Sequence, residues 1–397
     1  MSHADNMKLL YAEIRRIADS ELAHGNDTHL TEFWMDADNL VTALIRTQQL
    51  SQADALIEEM RTYAPRLTAL DPDTAIARLD FRKSMIAQMA GVRHRADANA
   101  RAAYERICKV IKRGGEDAPH ALYLHICGSY VKNALLATAA NRILPFYREV
   151  KKHYTKLKAP AADVTTAYVQ FCGNVTEALL ANRLTEQAIT VADEAMALLN
   201  TLPEDNLTLD VGATIASALG STLFQTGEQA RATDYLLAAY GASCRMHDDP
   251  PFSKAFRIAK HGFNCANVLF QTDRNDEAAP IFESVLAACY NEQFPQRDVI
   301  LRYAADYYAQ LLVAAHDYKG AVAQYERYLD AAPAEMPDEL LRNCANFSYR
   351  IAYIYAYFLY KDALSKSFLA RATEYLDRIA LPSAQDESMR SLVNQGF

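Results

Sequence analysis

Apolar residues recur at intervals of three and four residues along almost the whole chain. Ile14, Ile17, Ala18 and Leu22 show this spacing near the start, and Leu219 and Leu223 show it in the middle. Such spacing places apolar side chains on one face of an α-helix. No stretch alternates apolar and polar residues over six positions, so the pattern predicts an all-α protein.

Helix-breaking residues divide this pattern at regular intervals, and a second pattern repeats between them. Turns containing Pro or Gly fall at 71–73, 114–119, 159–160, 202–205, 249–251, 294–295 and 336–337. Each unit has an anchor residue that is followed by apolar or small residues four and seven positions later. The anchor is a small residue in every unit but one, where it is Ile143. The anchors are Ala53, Ala100, Ile143, Ala188, Ala232, Ala278, Ala321 and Ala372. Successive anchors lie 43 to 51 residues apart. Regular spacing of this kind is typical of a repeat protein, and it predicts eight helix pairs.

One unit carries these residues in a recognisable order. The segment Leu219–Leu223 reads Leu-Gly-Ser-Thr-Leu and is followed by Gly227, Ala232, Leu236 and Ala239. This unit resembles the tetratricopeptide repeat, a helix pair with small residues where the two helices cross. The period of about 44 residues is longer than that of the common repeat. In that respect the chain is similar to the extended repeats of kinesin light chains and of bacterial peptide-pheromone-responsive regulators.

The resemblance implies an all-α, right-handed superhelix (an α-solenoid) of about eight antiparallel helix pairs. We expect a single repeat domain over 1–381, with a capping helix over 1–25 and a polar C-terminal tail over 382–397. The expected units are 30–70, 75–115, 120–160, 163–203, 207–247, 252–293, 297–335 and 338–381.

In the family that the chain resembles, the first helix of each pair lines a concave binding groove. The positions that match give Lys260, Asn264, Asn267, Gln271, Tyr303, Tyr307, Gln310, Asn346, Arg350, Tyr353, His125, Ser129, Lys132 and Asn174. Asn and Gln amides can both donate to and accept from a peptide backbone, and Tyr is enriched at binding surfaces. The resemblance therefore implies a non-catalytic scaffold or adaptor that binds a peptide or protein segment. Alternatively, these residues are polar only because they lie on a solvent-exposed helix face and bind no ligand.

Two further functional hypotheses remain open. The chain could be a peptide-responsive sensor, or the sensory fragment of a larger signalling protein. It could also be an enzyme. His125, Lys132 and Glu177 are then the only set of titratable side chains that the repeat pattern would bring together in the groove. The sequence has no phosphate-binding loop, zinc-protease motif, nucleophile elbow or dinucleotide-binding motif. We therefore expect no enzyme activity, no cofactor and no metal site.

Charge distinguishes the two ends of the chain. Residues 1–160 carry a net charge of +4, residues 161–397 carry −12, and Arg142–Lys158 holds six basic residues and one acid. Clustered Lys and Arg attract anions, so this segment is a candidate site for an anionic partner such as an acidic protein. Nucleic acid is a weaker candidate, and an ordinary solvated helix face is the alternative.

The remaining features concern compartment and association. Seven cysteines without a Cys-x-x-Cys pair, and no apolar N-terminal leader, favour the reducing cytoplasm. The most apolar window, Ile351–Tyr360, is about half the length that a membrane-spanning helix needs, so we expect no membrane span. The tyrosine-rich segment Phe347–Tyr360 either packs a C-terminal helix on both faces or forms an association surface, for example in a homodimer.

Overall fold

The structure is a computed structural model that describes most of the chain. It covers residues 30–67, 70–115, 118–136, 139–248, 253–294 and 296–396, together with residues 12, 15, 16, 19 and 20. The capping helix predicted over 1–25 falls largely outside the described residues and stays a prediction.

The described residues form 17 α-helices and no β-strand, and the chain divides into two compact units, 1–219 and 220–397. The helices of the first unit are α1 (Leu30–Arg46), α2 (Leu50–Tyr63), α3 (Pro72–Met89), α4 (Arg93–Gly114), α5 (His120–Tyr130), α6 (Ile143–Tyr154), α7 (Ala162–Ala181) and α8 (Thr185–Leu199). Helix α9 (Asn206–Gln225) contains the boundary. Those of the second unit are α10 (Gln229–Arg245), α11 (Lys254–Gln271), α12 (Asn275–Asn291), α13 (Arg297–Ala314), α14 (Tyr318–Asp330), α15 (Asp338–Tyr357), α16 (Asp362–Asp377) and α17 (Ala384–Gln395).

The first sixteen helices form eight consecutive pairs, and each predicted unit contains one pair. Within the first unit, first helices of successive pairs also contact each other, as α1 with α3, α3 with α5 and α5 with α7. In the second unit α11 contacts α13 in the same way. The predicted fold class, an all-α array of about eight helix pairs, is therefore confirmed.

In the described part of the chain, the turn inside seven of the pairs has a common backbone conformation. Seven of the eight pairs place one residue with a positive φ there: Gln48, Gly91, Arg183, Gly227, Asp273, His316 and Tyr360. A left-handed residue after the last helical turn lets its amide and the next one bond to carbonyls at the helix end. The regular turn therefore ends one helix and redirects the chain into its partner.

The small anchor residues lie where the helices pack most closely. All eight anchors, from Ala53 to Ala372, have no exposed surface. At Gly220 the approach is closer still, because a Cβ there would lie 2.6 Å from Leu236 Cγ and 2.9 Å from the Ala232 carbonyl oxygen. Seven of the eight anchors are thus Ala because a facing helix occupies the space that a larger side chain would need; Ile143 is the exception.

The C-terminal segment differs from the expected polar tail. Residues Ala384–Gln395 form α17, which contacts α15 and α16. Ser383 and Asp386 form a capping box that satisfies backbone amides at the start of this helix. The Arg342 guanidinium also bonds to Asp386 at 2.9 Å. These contacts explain why a polar, weakly periodic sequence is helical here.

One described helix, α9, meets the length and composition criteria for a membrane span, with a mean hydropathy of 1.3 over 18 residues. Half of that window is buried inside the protein, and a core helix meets the same criteria. The expectation that no segment spans a membrane stays a prediction.

Candidate ligand-binding surface

Ten of the predicted site residues lie on the first helices of the last three pairs, in the second unit. Four of them follow one face of α11: Lys260, Asn264, Asn267 and Gln271. The Gln271 Nε2 donates to Asn267 Oδ1 at 2.8 Å, which orients both amides along the helix surface. All four side chains are half-buried or exposed. The predicted spacing on α11 therefore does give a polar stripe.

Aromatic rings connect α11 to α13. Phe263 of α11 lies 6.0 Å from the Tyr307 ring and 6.3 Å from the Tyr303 ring, and Phe270 lies 6.1 Å from Tyr307. Tyr303 remains 39% exposed. The two tyrosines thus share a row of rings that presents aromatic surface beside the amides of α11.

A cavity of about 370 Å³ lies at the C-terminal ends of α13 and α15. Three predicted residues line it, namely Gln310, Arg350 and Tyr353. Its apolar wall includes Tyr349 and Phe358. Tyr353 is 43% exposed, and its ring lies 5.9 Å from that of Phe358. We call the stripe on α11, the ring row and this cavity the ligand surface.

Asp306, which the sequence analysis did not single out, orients the positively charged Arg350 side chain of the ligand surface. Arg350 Nη1 lies 3.2 Å from the Asp306 carboxylate on α13, which also accepts from the Tyr325 hydroxyl at 2.8 Å. Burial and the nearby carboxylate raise the pKa of Tyr325, so its phenol stays protonated and donates. The guanidinium has five N–H donors. The contact with Asp306 orients the group and leaves other donors for a ligand.

The other four predicted residues lie in the first unit, where most of them hold helices together. Ser129 Oγ lies 3.2 Å from Ser84 Oγ of α3, and Lys132 lies 3.7 Å from Glu177 of α7. The Asn174 amide packs closely on Gly128, because a Cβ added to Gly128 would lie 2.6 Å from Asn174 Nδ2.

His125 is the fourth, and it is partly buried beside two arginines. Burial lowers its pKa, and the charges of Arg82 and Arg78 lower it further, so the imidazole is neutral near pH 7. Both arginines pair with Asp38, whose carboxylate oxygens lie 3.0 Å from Arg82 Nε and 3.3 Å from Arg78 Nη1. Sequence reasoning also missed this ion-pair cluster.

The basic segment Arg142–Lys158 includes α6. Its Lys151 pairs with Glu194 of α8, a carboxylate that also accepts from the hydroxyls of Tyr147 and Tyr168. The side chains of Arg142, Arg148, Lys152, Lys156 and Lys158 are exposed. An anionic partner for this segment stays a prediction.

Five of the seven cysteines are buried, and Cys108 and Cys244 are partly exposed. Cys127, Cys172 and Cys265 have no exposed surface, and burial raises the pKa of the Cys265 thiol to about 12. No group of three or more His, Cys, Asp or Glu side chains in the described part of the chain is arranged to hold a metal ion.

Comparison with known proteins identifies the fold. No family model and no curated protein matches the sequence. Among solved structures, the apo form of RapI is 13% identical over 87% of this chain and 98% of its own length, with a TM-score of 0.53. NprR in complex with its cognate peptide NprX is 10% identical over 94% of this chain and 97% of its own length, but its TM-score of 0.41 is too low to support an argument. The chain therefore has the fold of the tetratricopeptide-like helical repeat proteins.

Proposed function

We propose that this chain is a non-catalytic scaffold or adaptor that binds a peptide or protein segment at the ligand surface. The observation that supports the proposal most strongly is the cavity of about 370 Å³ lined by Gln310, Arg350 and Tyr353. It lies next to the tyrosine row of α13 and within the same compact unit as the amide stripe of α11.

The chemistry of the surface suits an extended peptide. A cavity of this size accepts one or two side chains, since drug-sized sites range from about 300 to 1,000 Å³. Exposed amides such as Gln271 can pair with backbone groups of any sequence, and exposed tyrosines such as Tyr303 bury large area with little loss of side-chain entropy.

Catalysis has less support. The polar groups that line the cavity are amide, phenol and guanidinium groups, and none of them is a carboxylate, imidazole or thiol. The enzyme hypothesis relied on His125, Lys132 and Glu177, of which the last two pair with each other. We also expect a cytoplasmic location, because all seven cysteines are free thiols.

The test is selection of a peptide from a random display library with the full chain, followed by calorimetric titration of that peptide into variants. Tyr353→Ala and Gln310→Ala should each weaken binding about tenfold or more, because central aromatic and buried polar contacts dominate such interfaces. Leu392→Ala is the matched control, since Leu392 is 46% exposed on α17 and is not part of the ligand surface. Equal affinity for all three variants and the parent would contradict the proposal.

A further inference from the structure

The second unit contains another, larger cavity that none of the predicted site residues lines. Its volume is about 600 Å³, and it lies at the N-terminal ends of α13 and α15 and the C-terminal end of α14. We call it the edge cavity; the residues that matter for its chemistry are Arg297, Arg302, Tyr328, Leu340 and Asn343. It is separated along α13 from the ligand-surface cavity, which begins at Gln310.

The charges of the edge cavity are buried unequally. The side chains of Arg297 and Arg302 are only 19% and 24% exposed, whereas those of their partners Asp298 and Glu339 are 83% and 75% exposed. The acids therefore lie at the rim in water, where their attraction to a cation is screened. The two guanidinium groups lie in the less solvated wall, where a charge gains most from a close counter-ion. The wall thus favours an anion.

Arg302 is already oriented for such a contact. Its Nη1 donates to Asn343 Oδ1 at 3.1 Å, and its guanidinium stacks over the Tyr303 ring at 4.0 Å. Glu339 is more distant, at 3.9 Å. A guanidinium held on one edge and one face loses little freedom when its remaining donors bind a carboxylate.

An unpartnered hydroxyl supplies the second donor. Tyr328 lines the edge cavity and is 5% exposed, and its hydroxyl makes no hydrogen bond to any described residue. Its ring packs edge-on against Phe347 at 4.7 Å, which fixes its direction. Burial raises the pKa of this phenol, so it keeps its proton and can donate. The hydroxyl oxygen is not one of the fully buried unpartnered atoms, so it keeps accessible surface, and a ligand in the cavity can accept its hydrogen bond.

Most of the remaining wall is apolar, with Gln293 as a further polar residue. Leu301, Leu340, Ala332 and Pro333 line the same cavity. A ligand that fills it therefore needs an apolar body as well as an anionic group, and the volume falls within the range of small-molecule sites.

We infer that the edge cavity binds a small organic anion, whose carboxylate or similar group pairs with Arg302 and Arg297 and accepts from Tyr328 while its apolar body packs on Leu340. The inference does not depend on peptide binding at the ligand surface. The two cavities have no lining residue in common, although Tyr303 of the ring row stacks on Arg302.

The test uses two dyes that differ chiefly in charge. The anionic dye is 1-anilinonaphthalene-8-sulfonate, and the neutral one is N-phenyl-1-naphthylamine, which has the same rings without the sulfonate. Each is titrated by fluorescence into the folded full chain and into Arg302→Gln and Tyr328→Phe. Both variants should weaken binding of the anionic dye, by about tenfold for Arg302→Gln, and change the neutral dye less than about twofold. Arg274→Gln, which removes a 39% exposed cation at the residue before α12, is the matched control.

The outcomes separate the possibilities. Displacement of the bound anionic dye by 1-naphthoate, but not by 1-naphthalenemethanol, would support a carboxylate ligand. The inference is overturned if neither variant changes binding of the anionic dye, or if both dyes are weakened equally. It is also overturned if Tyr353→Ala abolishes the signal, because the dye would then occupy the ligand surface. Tyr328→Phe keeps the buried ring, so the test stands even if Arg302→Gln fails to fold.

Discussion

His261 makes the stability of the second unit depend on pH. It lies on α11 with no exposed surface, and neither ring nitrogen has a hydrogen-bond partner among the residues that the structure describes. Burial lowers the pKa of this imidazole to about 3, and the charges of Lys260 and Arg257 contribute to the decrease. The side chain is therefore neutral throughout the physiological range in the folded protein.

The magnitude follows from linkage between protonation and folding. Above about pH 6.5 the imidazole is neutral in both the folded and unfolded states, so its stability contribution is complete. As the pH falls below that value, the unfolded state takes up a proton that the folded state excludes. Each pH unit then lowers the free energy of unfolding by about 1.4 kcal/mol, until the folded pKa is reached. At about pH 4.5 the loss amounts to about 3 kcal/mol.

Urea unfolding followed by circular dichroism measures this loss. The parent, His261→Leu and the control His94→Gln are compared between about pH 7.5 and pH 4.5, because other groups also titrate in this window. Relative to the parent, His261→Leu should gain about 2–3 kcal/mol of stability as the pH falls. His94 is exposed, so its replacement should leave the slope unchanged. If the parent and His261→Leu lose stability in parallel, the imidazole is not buried in its neutral form and the reasoning is wrong.

Two other substitutions test how the helices pack. Gly220→Ala should lower the free energy of unfolding by about 1–3 kcal/mol in urea titrations because a facing helix occupies the Cβ position. Gly241→Ala, whose Cβ would lie 3.8 Å from the nearest atom, should be neutral or slightly stabilising, and an equal loss for both would contradict this account. Asp38→Asn should lower the thermal midpoint through a loss of about 2–4 kcal/mol, because Arg82 would keep a mostly buried charge without its carboxylate. Asp54→Asn, at a 54% exposed side chain, should change the midpoint little.

The helix pairs were predictable from the sequence because their crossings impose a strict local requirement. Every aligned anchor, from Ala53 to Ala372, is fully buried. A small residue is needed wherever two helices approach closely, so the requirement recurs once per pair and is visible as a period. The common turn was less visible. Only Gly91 and Gly227 mark it by residue type, because residues such as Arg183 adopt positive φ at a modest energetic penalty.

The ligand surface was predictable only along each helix. Spacing of three residues predicts Arg350 and Tyr353 on one face of α15, and both line one cavity. Contacts between helices do not follow from spacing. The pairing of Arg350 with Asp306, and the packing of Phe263 against Tyr307, depend on how far first helices of successive pairs are shifted along each other. The spacing of residues in the sequence does not predict how far these helices are shifted along each other.

The positions of the two cavities follow from the same packing that produces the repeat. Along α13, buried Ala304 and Ala305 lie between the residues that line the edge cavity and those that line the ligand-surface cavity. On α15, buried Ala345 has the same intermediate position. Helices that approach closely at small residues in the middle leave room toward both ends, where larger side chains such as Tyr328 must bridge the gap. The buried alanines in the middle of α13 and α15 therefore separate the two cavities, and the residues at the helix ends give each cavity its chemistry.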